Sequence, residues 1–395
     1  MYDTAIIGGG AAGLAATIFL ARQGKSVFLC ERLPRVGKKI LSTGNGRCNI
    51  SNRNIALENY HGTDSSFAMH ALGAFSVGNT TDFFESIGLS LTEGENGKLY
   101  PQSLQATSVL DLMRMEIARL GVSETVDCFI KKLEKKNGAF HLKSEDGRSY
   151  SAKTVLCATG GKAAPSMGTD GSGYSLLTHF GHTLIKPLPS LVQLKTEKPM
   201  RALKGVKHVG EAVLYIEGKE KRRTFGEILF TDYGISGPPI FNLSRFASDA
   251  VASGKKVAVT LNLFPHLSEE ALFLFLQKRR RDLPHLTGES FLYGLLPKLL
   301  GREILKIAKN DRDTARLLHA LPLSVTGVMP WANAQITAGG IATKDVNPKT
   351  MESRLVSGLY LCGEVLDIDG DCGGYNLQWA WSSAYVAAQN IVAVL

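Results

Sequence analysis

The sequence predicts an α/β protein whose parallel-sheet domain is interrupted by a β-rich module and a small helical one, and three observations predict it. Residues 2–31 run as strand, glycine turn, helix and strand: TAIIGG, then AAGLAATIFLARQG, then SVFLCE. From about Leu188 the composition turns to β-rich segments, EAVLYIEG and KVAVTLNLF, around a loop at 230–239. After Trp331 the glycine-rich style of the opening returns and ends in the strand LYLCGE and a long apolar helix from about Tyr375. The division that follows assigns 1–188 and 334–395 to the interrupted domain, 189–262 and 322–333 to the β-rich, barrel-like module, and 263–321 to the helical module.

Between these landmarks, 32–110 reads as glycine-rich loops with a helical patch at 79–87, 106–120 as a helix, and 122–157 as a small meander of strands. Residues 268–281 have a helical period with an acidic first turn and a basic last turn, which suits the helix dipole. A chain of 395 residues with 44% hydrophobic and 21% charged residues can bury large cores. The uncharged stretch 4–21 has the length of a membrane span, but four glycines break it and Asp3 precedes it, so it reads neither as a span nor as a signal peptide. Six widely spaced cysteines without a CxxC pair give no zinc or redox-disulfide pattern and suit a reducing cytoplasm. The net charge of +9 would suit an acidic ligand or nucleic acid. Only 219–223 and 278–281 concentrate it, and both read as solvated faces, so a small molecule is the expected partner rather than nucleic acid or a membrane.

Gly8, Gly10 and Gly13 form GxGxxG between a predicted strand and helix, with Ala11 and Ala12 opening that helix. Gly8 permits the tight turn, Gly10 lets a pyrophosphate approach the helix N-terminus, and Gly13 lets helix and strand pack closely. Glu31, with Arg32 beside it, closes the next strand at the spacing of a carboxylate that accepts from adenosine ribose hydroxyls. An acid there repels a 2′-phosphate. Two further segments favour FAD over NAD. The strand VLCATGG, with Ala158, Thr159 and Gly160, suits a backbone that passes close to a long cofactor. In GLYLCGE, followed by GGYNLQ, a strand delivers Gly363 and Glu364 and a helix starts just after. The carboxylate can bind ribitol hydroxyls. The helix N-terminus can stabilise the negative charge of a reduced flavin near N1 and the C2 carbonyl.

The segments GGGAAGL, VGKKILSTGNGRCNISN, CATGGKAAPSMGTDGSGY, LFTDYGISGP, ITAGGIATKDVNPKTMESRLVSGLYLCGEVLDIDG and GGYNLQWAWSSA together resemble the BaiN-like flavoproteins, a family that includes dehydro-bile-acid reductases and aminoacetone oxidases. The resemblance covers nearly the whole chain, and GRCN and GGYNLQ are its most specific parts. It implies a glutathione-reductase-like, FAD-binding Rossmann-type domain, a β-barrel-like domain and a helical domain. It implies further that the first glycine loop and Glu31 hold the ADP half of FAD, that Ile130 meets the adenine through its backbone, and that Gly363 and Glu364 face the ribitol. Gly374, Tyr375, Asn376 and Leu377 would lie along the pyrimidine edge, and Lys38, Gly44, Arg47, Cys48 and Asn49 beside the cofactor. Asp232 stands where many relatives carry His, a departure that removes a ready proton donor from that loop.

Other readings are plainer. Cys48 reads as packing or flavin contact, and Cys30, Cys128, Cys157 and Cys362 as core. Asp367, Asp369 and Asp371 lack the closing glutamate of a calcium loop. Of Tyr375, Trp379 and Trp381, only Tyr375 is a candidate for the flavin site, and Tyr233 and Ser236 are candidates for substrate contact. The expected activity is hydride transfer between FAD and a small organic substrate, leaning to NAD(P)H-driven reduction of a conjugated C=C bond, with the substrate held between the cofactor domain and the insertions. An oxygen-dependent amine oxidase is the alternative; a nucleic-acid-associated or non-catalytic flavoprotein is a further one. No second GxGxxG is present, so a nicotinamide donor would bind transiently.

Overall fold

The computed structural model describes residues 1–395, and the chain divides into two compact units: Met1–Pro187 with Ile336–Leu395, and Leu188–Gln335. The first opens with β1 (Tyr2–Ile7), α1 (Ala11–Arg22) and β2 (Val27–Cys30). Gly10, in extended conformation, caps α1 without a side chain, so the amides of its first turn stay unspent. After α2 (Ala106–Arg119) come β3 (Glu124–Thr125), β4 (Ile130–Lys136), β5 (Ala139–Ser144) and β6 (Ser149–Cys157).

The second unit holds β7 (Leu194–Thr196), β8 (Lys207–Ile216), β9 (Lys219–Phe230), β10 (Gly234–Ser236), α3 (Pro238–Ala252), β11 (Val257–Asn262), α4 (Glu269–Asp282), α5 (Lys298–Ile307), α6 (Asp311–His319) and β12 (Leu321–Val328). The chain then returns to the first unit for β13 (Leu359–Leu361) and α7 (Tyr375–Val394).

The sheet of the first unit runs β3-β2-β1-β6-β5-β4. β3, β2, β1 and β6 are parallel neighbours; β6 pairs antiparallel with β5 through Ser149–Ala152, and parallel with β13 through Val155–Cys157. Ile6, Leu29, Leu156 and Leu361 are fully buried, as strands covered on both faces require. α1 and α7 pack on one another, which explains their small buried residues Ala15, Ala16, Ala384 and Ala387. Both tryptophans of α7 are core: Trp379 Nε1 donates to Gly363 O and Trp381 Nε1 to Ile50 O.

In the second unit the six strands close as β7-β10-β9-β8-β11-β12. α3 packs against every one of them and buries Ile240, Leu243 and Ala247 in their shared core. α3 was not anticipated from sequence. Its start is nevertheless marked by Gly237 followed by two prolines in the first turn, where a missing N–H costs nothing. α4 begins as expected, with Ser268 Oγ accepting from Ala271 N, Glu269 and Glu270 in its first turn and three arginines in its last. No helix is long and apolar enough to cross a membrane.

Candidate cofactor site

The glycine loop is shaped by clearance. Gly8 has φ +108°, its N–H donates to Cys30 O, and an added Cβ would stand 2.5 Å from Ala158 O. At Gly13 a Cβ would lie 1.9 Å from Gly8 O, so this glycine fixes the contact between α1 and the turn. Gly10 differs: a Cβ there meets nothing within 4 Å. The protein itself leaves that space open, as a cradle for a ligand on the α1 amides requires.

Glu31 stands where β2 ends. Its Oε2 accepts from Gly9 N and its Oε1 from Leu33 N, both at 2.9 Å. Burial raises its carboxyl above the ordinary glutamate value, against those backbone donors. Gly8, Glu31, Arg32, Ile130 and Thr159 line one pocket together with Cys30, Cys128, Phe129, Gly168, Ser172 and Leu176. Arg32 is held there by Asp170 at 2.6 Å and lies 5.0 Å over the Phe129 ring. Ala158 N donates to Ile7 O, and Gly160 has φ +69° with Thr169 packed where its Cβ would be. The Glu31 carboxylate and the Arg32 guanidinium share this pocket with apolar groups such as Ile130 and Leu176.

The second carboxylate is held by two donors. Glu364 Oε1 accepts from Thr337 N at 2.9 Å and Oε2 from Lys39 Nζ at 2.7 Å. Lys39 and Glu364 side chains are each 21% exposed, so the pair is neither fully solvated nor fully screened from water. Gly363 donates to Ser383 Oγ and accepts from Trp379, and its missing Cβ leaves room for Ala12. This contact brings Glu364 beside the start of α1. Lys38, the lysine singled out from sequence, points elsewhere: its Nζ donates to Ser166 O on the exposed side. Of the KK pair it is Lys39 that meets Glu364 and Lys38 that meets Ser166 O, a one-residue difference that only the backbone path decides.

The two most specific sequence blocks come together at the start of α7. Asn52 Nδ2 donates to Gly373 O, Ser51 Oγ donates to Gln378 Oε1, and a Cβ on Gly374, at φ +99°, would sit 2.3 Å from Ser51 O. The first bond inside the helix runs from Gln378 N to Gly374 O, so the amides of Tyr375, Asn376 and Leu377 have no helical acceptor. Asn376 uses its side chain on the loop rather than on a ligand: it accepts from Gly370 N and donates to Gly370 O, both at 2.8 Å. What it can offer a flavin is its backbone N–H. Gly44, at φ +56°, turns the GNGRCN loop. Arg47 is exposed, 5.3 Å over the Tyr100 ring. Cys48 is fully buried and its thiol is pushed up to about 12 by burial, which makes it a packing group.

Beside this junction, sequence reasoning missed a pair. His61 Nε2 lies 2.9 Å from Asp371 Oδ1, with both side chains largely buried, and Tyr60 hydroxyl donates to Tyr375 O. Residues 310 apart in sequence carry no local signal of such a contact.

Three buried polar atoms of this unit fit a bound dinucleotide: Thr159 Oγ1, Asn49 Oδ1 and the Tyr174 hydroxyl have no hydrogen-bond partner in the protein. Thr159 lines the adenosine pocket, Asn49 Oδ1 would be 2.8 Å from a Cβ on Gly374, and Tyr174 has Glu364 and Asp367 as its charged neighbours. They lie in the pocket with Glu31, near the start of α7 and near Glu364, positions that would outline a path for an extended dinucleotide. Unpaired buried polar atoms are rare in proteins and need a reason. An FAD laid along this path supplies one.

The fold and the site thus define the class, an FAD-dependent oxidoreductase on a Rossmann-type domain. The chain belongs to the HI0933-like protein Rossmann domain family, whose model matches residues 2–390. It is 38% identical over 405 residues to the 3-dehydro-bile acid delta(4,6)-reductase of Clostridium scindens, covering 98% of both chains. It is 30% identical over 408 residues to a ribosomal RNA dihydrouridine synthase of Haemophilus influenzae, again covering 98% of both. Among solved structures, 3-ketosteroid delta1-dehydrogenase from Sterolibacterium denitrificans shares the fold, with a TM-score of 0.54, 11% identity and full coverage of both chains.

Proposed function

We propose that this chain reduces a carbon–carbon double bond conjugated to a carbonyl group, with NAD(P)H as the source of electrons. The observation that carries the reading is the junction of the GRCN loop with the α7 N-terminus, where amides without acceptors and the unpaired Asn49 Oδ1 face one place. Bound FAD supplies a hydride from N5 of its ring. The residues around it do the rest. The first-turn amides of α7, which have no helical acceptor, would favour negative charge on a reduced flavin held against them and so raise its potential. Lys39 and Thr337 fix the Glu364 carboxylate for the ribitol hydroxyls. A proton is needed for the carbon next to the carbonyl. Tyr375, whose phenol is kept protonated by burial and by Asp371, and the His61–Asp371 pair can hold one beside the α7 start.

The names of two relatives support this choice of bond. A delta(4,6)-reductase of a 3-dehydro bile acid acts on double bonds conjugated to a ketone. A dihydrouridine synthase saturates the uracil bond conjugated to its C4 carbonyl. The two substrates share nothing else, so the bond is the part that carries over. The test is product analysis: enzyme with NADH or NADPH and a 3-keto-Δ4 steroid or a uridine-containing RNA should yield product heavier by two hydrogens, with deuterium from labelled nicotinamide at the β-carbon. Turnover of neither, with hydrogen peroxide formed from aminoacetone in air, would replace this reading by amine oxidation.

A further inference from the structure

The last residue of the GGYNLQ block is buried in the protein, and its amide makes every bond it can make. Gln378 is 1% exposed. Its Oε1 accepts from Ser51 Oγ at 2.6 Å and from Thr80 Oγ1 at 3.0 Å, and its Nε2 donates to Phe75 O at 3.0 Å and to Ser382 Oγ at 2.9 Å. These partners belong to the strand Ser51–Asn52 that follows GRCN, the helix Val77–Ser86, the corner between that helix and Phe67–Ala74, and α7 itself. Phe75 O can only accept, so the amide cannot turn over.

The ties to the loop run along one stripe of α7. Gly374, Gln378 and Trp381 are four and three residues apart, which puts them on one helix face. Gly374 abuts Ser51 O, Gln378 takes the Ser51 hydroxyl, and Trp381 Nε1 donates to Ile50 O. The Gln378 amide nitrogen of the backbone also closes the first turn on Gly374 O. Any rotation of α7 about its axis breaks these ties and re-aims the amides of Tyr375, Asn376 and Leu377. A leucine or methionine would fill the same space without four polar partners to satisfy. What the amide adds is direction.

We infer that Gln378 is a positioning residue that sets the reduction potential of the bound flavin, by fixing where the first-turn amides of α7 point. This deepens the reductase reading and rests on it only in placing the flavin at the start of α7. Gln378 itself needs no contact with the ring.

The experiment measures the midpoint potential of FAD bound to wild type, Gln378→Leu, Gln378→Glu and Ser382→Ala, by equilibrating photoreduced protein with a redox dye. FAD content and melting temperature are recorded alongside. Wild type should hold FAD at a potential above that of free FAD. In Gln378→Leu the preference for reduced over oxidised FAD should fall by about tenfold, as when one charge-assisted hydrogen bond is lost, or about 30 mV downwards for a two-electron couple. Gln378→Glu still accepts from Ser51 and Thr80 and, protonated as burial favours, still donates to Phe75 O, so it should stay within about threefold of wild type. Ser382→Ala leaves the bonds to Ser51 and Thr80 in place, so it should lower the melting temperature and keep the preference within about twofold. Should Gln378→Leu not fold, Ser51→Ala cuts only the tie to the loop and should shift the preference the same way by about threefold.

An unchanged potential in Gln378→Leu, or in Ser51→Ala where the leucine variant does not fold, would overturn the inference. So would an equal shift in Ser382→Ala, which would make Gln378 ordinary core. The two readings fail separately. A shifted potential in an enzyme that reduces no conjugated bond would leave the inference standing and remove the reductase. A wild-type potential no higher than that of free FAD would overturn the placement of the flavin at α7, and the inference with it.

Discussion

The two compact units spend their residues in opposite ways. The nucleotide-binding unit holds thirty of the forty-one glycines and an almost even balance of charge, whereas the inserted unit holds eleven glycines and an excess of eight cations. In the first, the groups left open are backbone ones: amides at the starts of α1 and α7, beside glycines whose neighbours leave little or no room for a Cβ at Gly8, Gly13 and Gly374. Two of its carboxylates are fixed in place, Glu31 between two amides and Glu364 between Lys39 and Thr337. In the second, long cationic side chains project from a barrel and its central helix. Backbone cradles select one shape of ligand at short range. Cationic side chains attract a class of ligand at longer range and depend on salt.

The largest expected effect separates cradle from scaffold. Gly10→Val introduces a side chain whose Cβ touches no protein atom, at φ −80°, so the variant should fold and yet lose FAD. Affinity should drop at least about a hundredfold, because two or more charge-assisted bonds of roughly 1.5–3 kcal/mol each are blocked. Gly13→Ala should instead impair folding, since its Cβ would meet Gly8 O. Desalting followed by flavin absorbance and a melting curve tells the two apart; full FAD occupancy in Gly10→Val would place the pyrophosphate elsewhere.

Next comes the half-buried pair. Lys39→Met should weaken FAD binding by about tenfold, roughly 1–2 kcal/mol, between the values usual for exposed and buried pairs. Lys38→Met, whose ammonium only meets Ser166 O, should change it less than about twofold. Equal losses in the two variants would erase the distinction between neighbouring lysines.

Asn376→Leu should act through the loop. It removes bonds to Gly370 N and Gly370 O and leaves both groups unpaired, at about 1–3 kcal/mol of stability. The family resemblance places Asn376 along the pyrimidine edge of the flavin. With the side chain engaged on Gly370, a changed flavin potential with an unchanged melting temperature would contradict action through the loop.

The smallest effect is a proton count. Burial raises the Glu31 carboxyl above its ordinary value near 4.5 in the FAD-free protein. In the window above that value the folded chain holds more protons than the unfolded one, so FAD-free stability declines as pH rises through it. Ribose hydroxyls donating to Glu31 favour the carboxylate, so FAD uptake should release protons there and weaken as pH falls. Calorimetry in buffers of differing ionisation enthalpy measures the release, which Glu31→Gln should abolish.

The first βαβ unit was legible because its information is local: GxGxxG, the following helix and Glu31 lie within 31 residues, although the pocket that Gly8 and Glu31 line takes most of its walls from 128–130 and 159–176. The resemblance carried GRCN and GGYNLQ to one place, and they meet through Ser51, Asn52, Gly373 and Gln378. What stayed hidden depends on distance or direction. Adjacent lysines differ only in where the backbone aims them. Thr337 reaches Glu364, and Asp371 reaches His61, only once the sheet is assembled. α3 lay unread behind a glycine-proline turn, although its buried positions Ile240, Leu243 and Ala247 keep a helical period. The asymmetry of charge needed the boundary at Leu188 and Gln335 before it could be counted.

The most direct test of the account is electron transfer out of the reduced enzyme. Anaerobic, photoreduced holoenzyme is mixed in a stopped-flow instrument with a 3-keto-Δ4 steroid, with a uridine-containing RNA hairpin, or with its saturated counterpart. The account predicts that the yellow band of oxidised flavin returns with at least one conjugated acceptor and with none of the saturated controls, while aminoacetone leaves oxidised enzyme unchanged. Flavin that stays reduced with every conjugated acceptor, yet is rapidly bleached by aminoacetone and yields hydrogen peroxide in air, would contradict it.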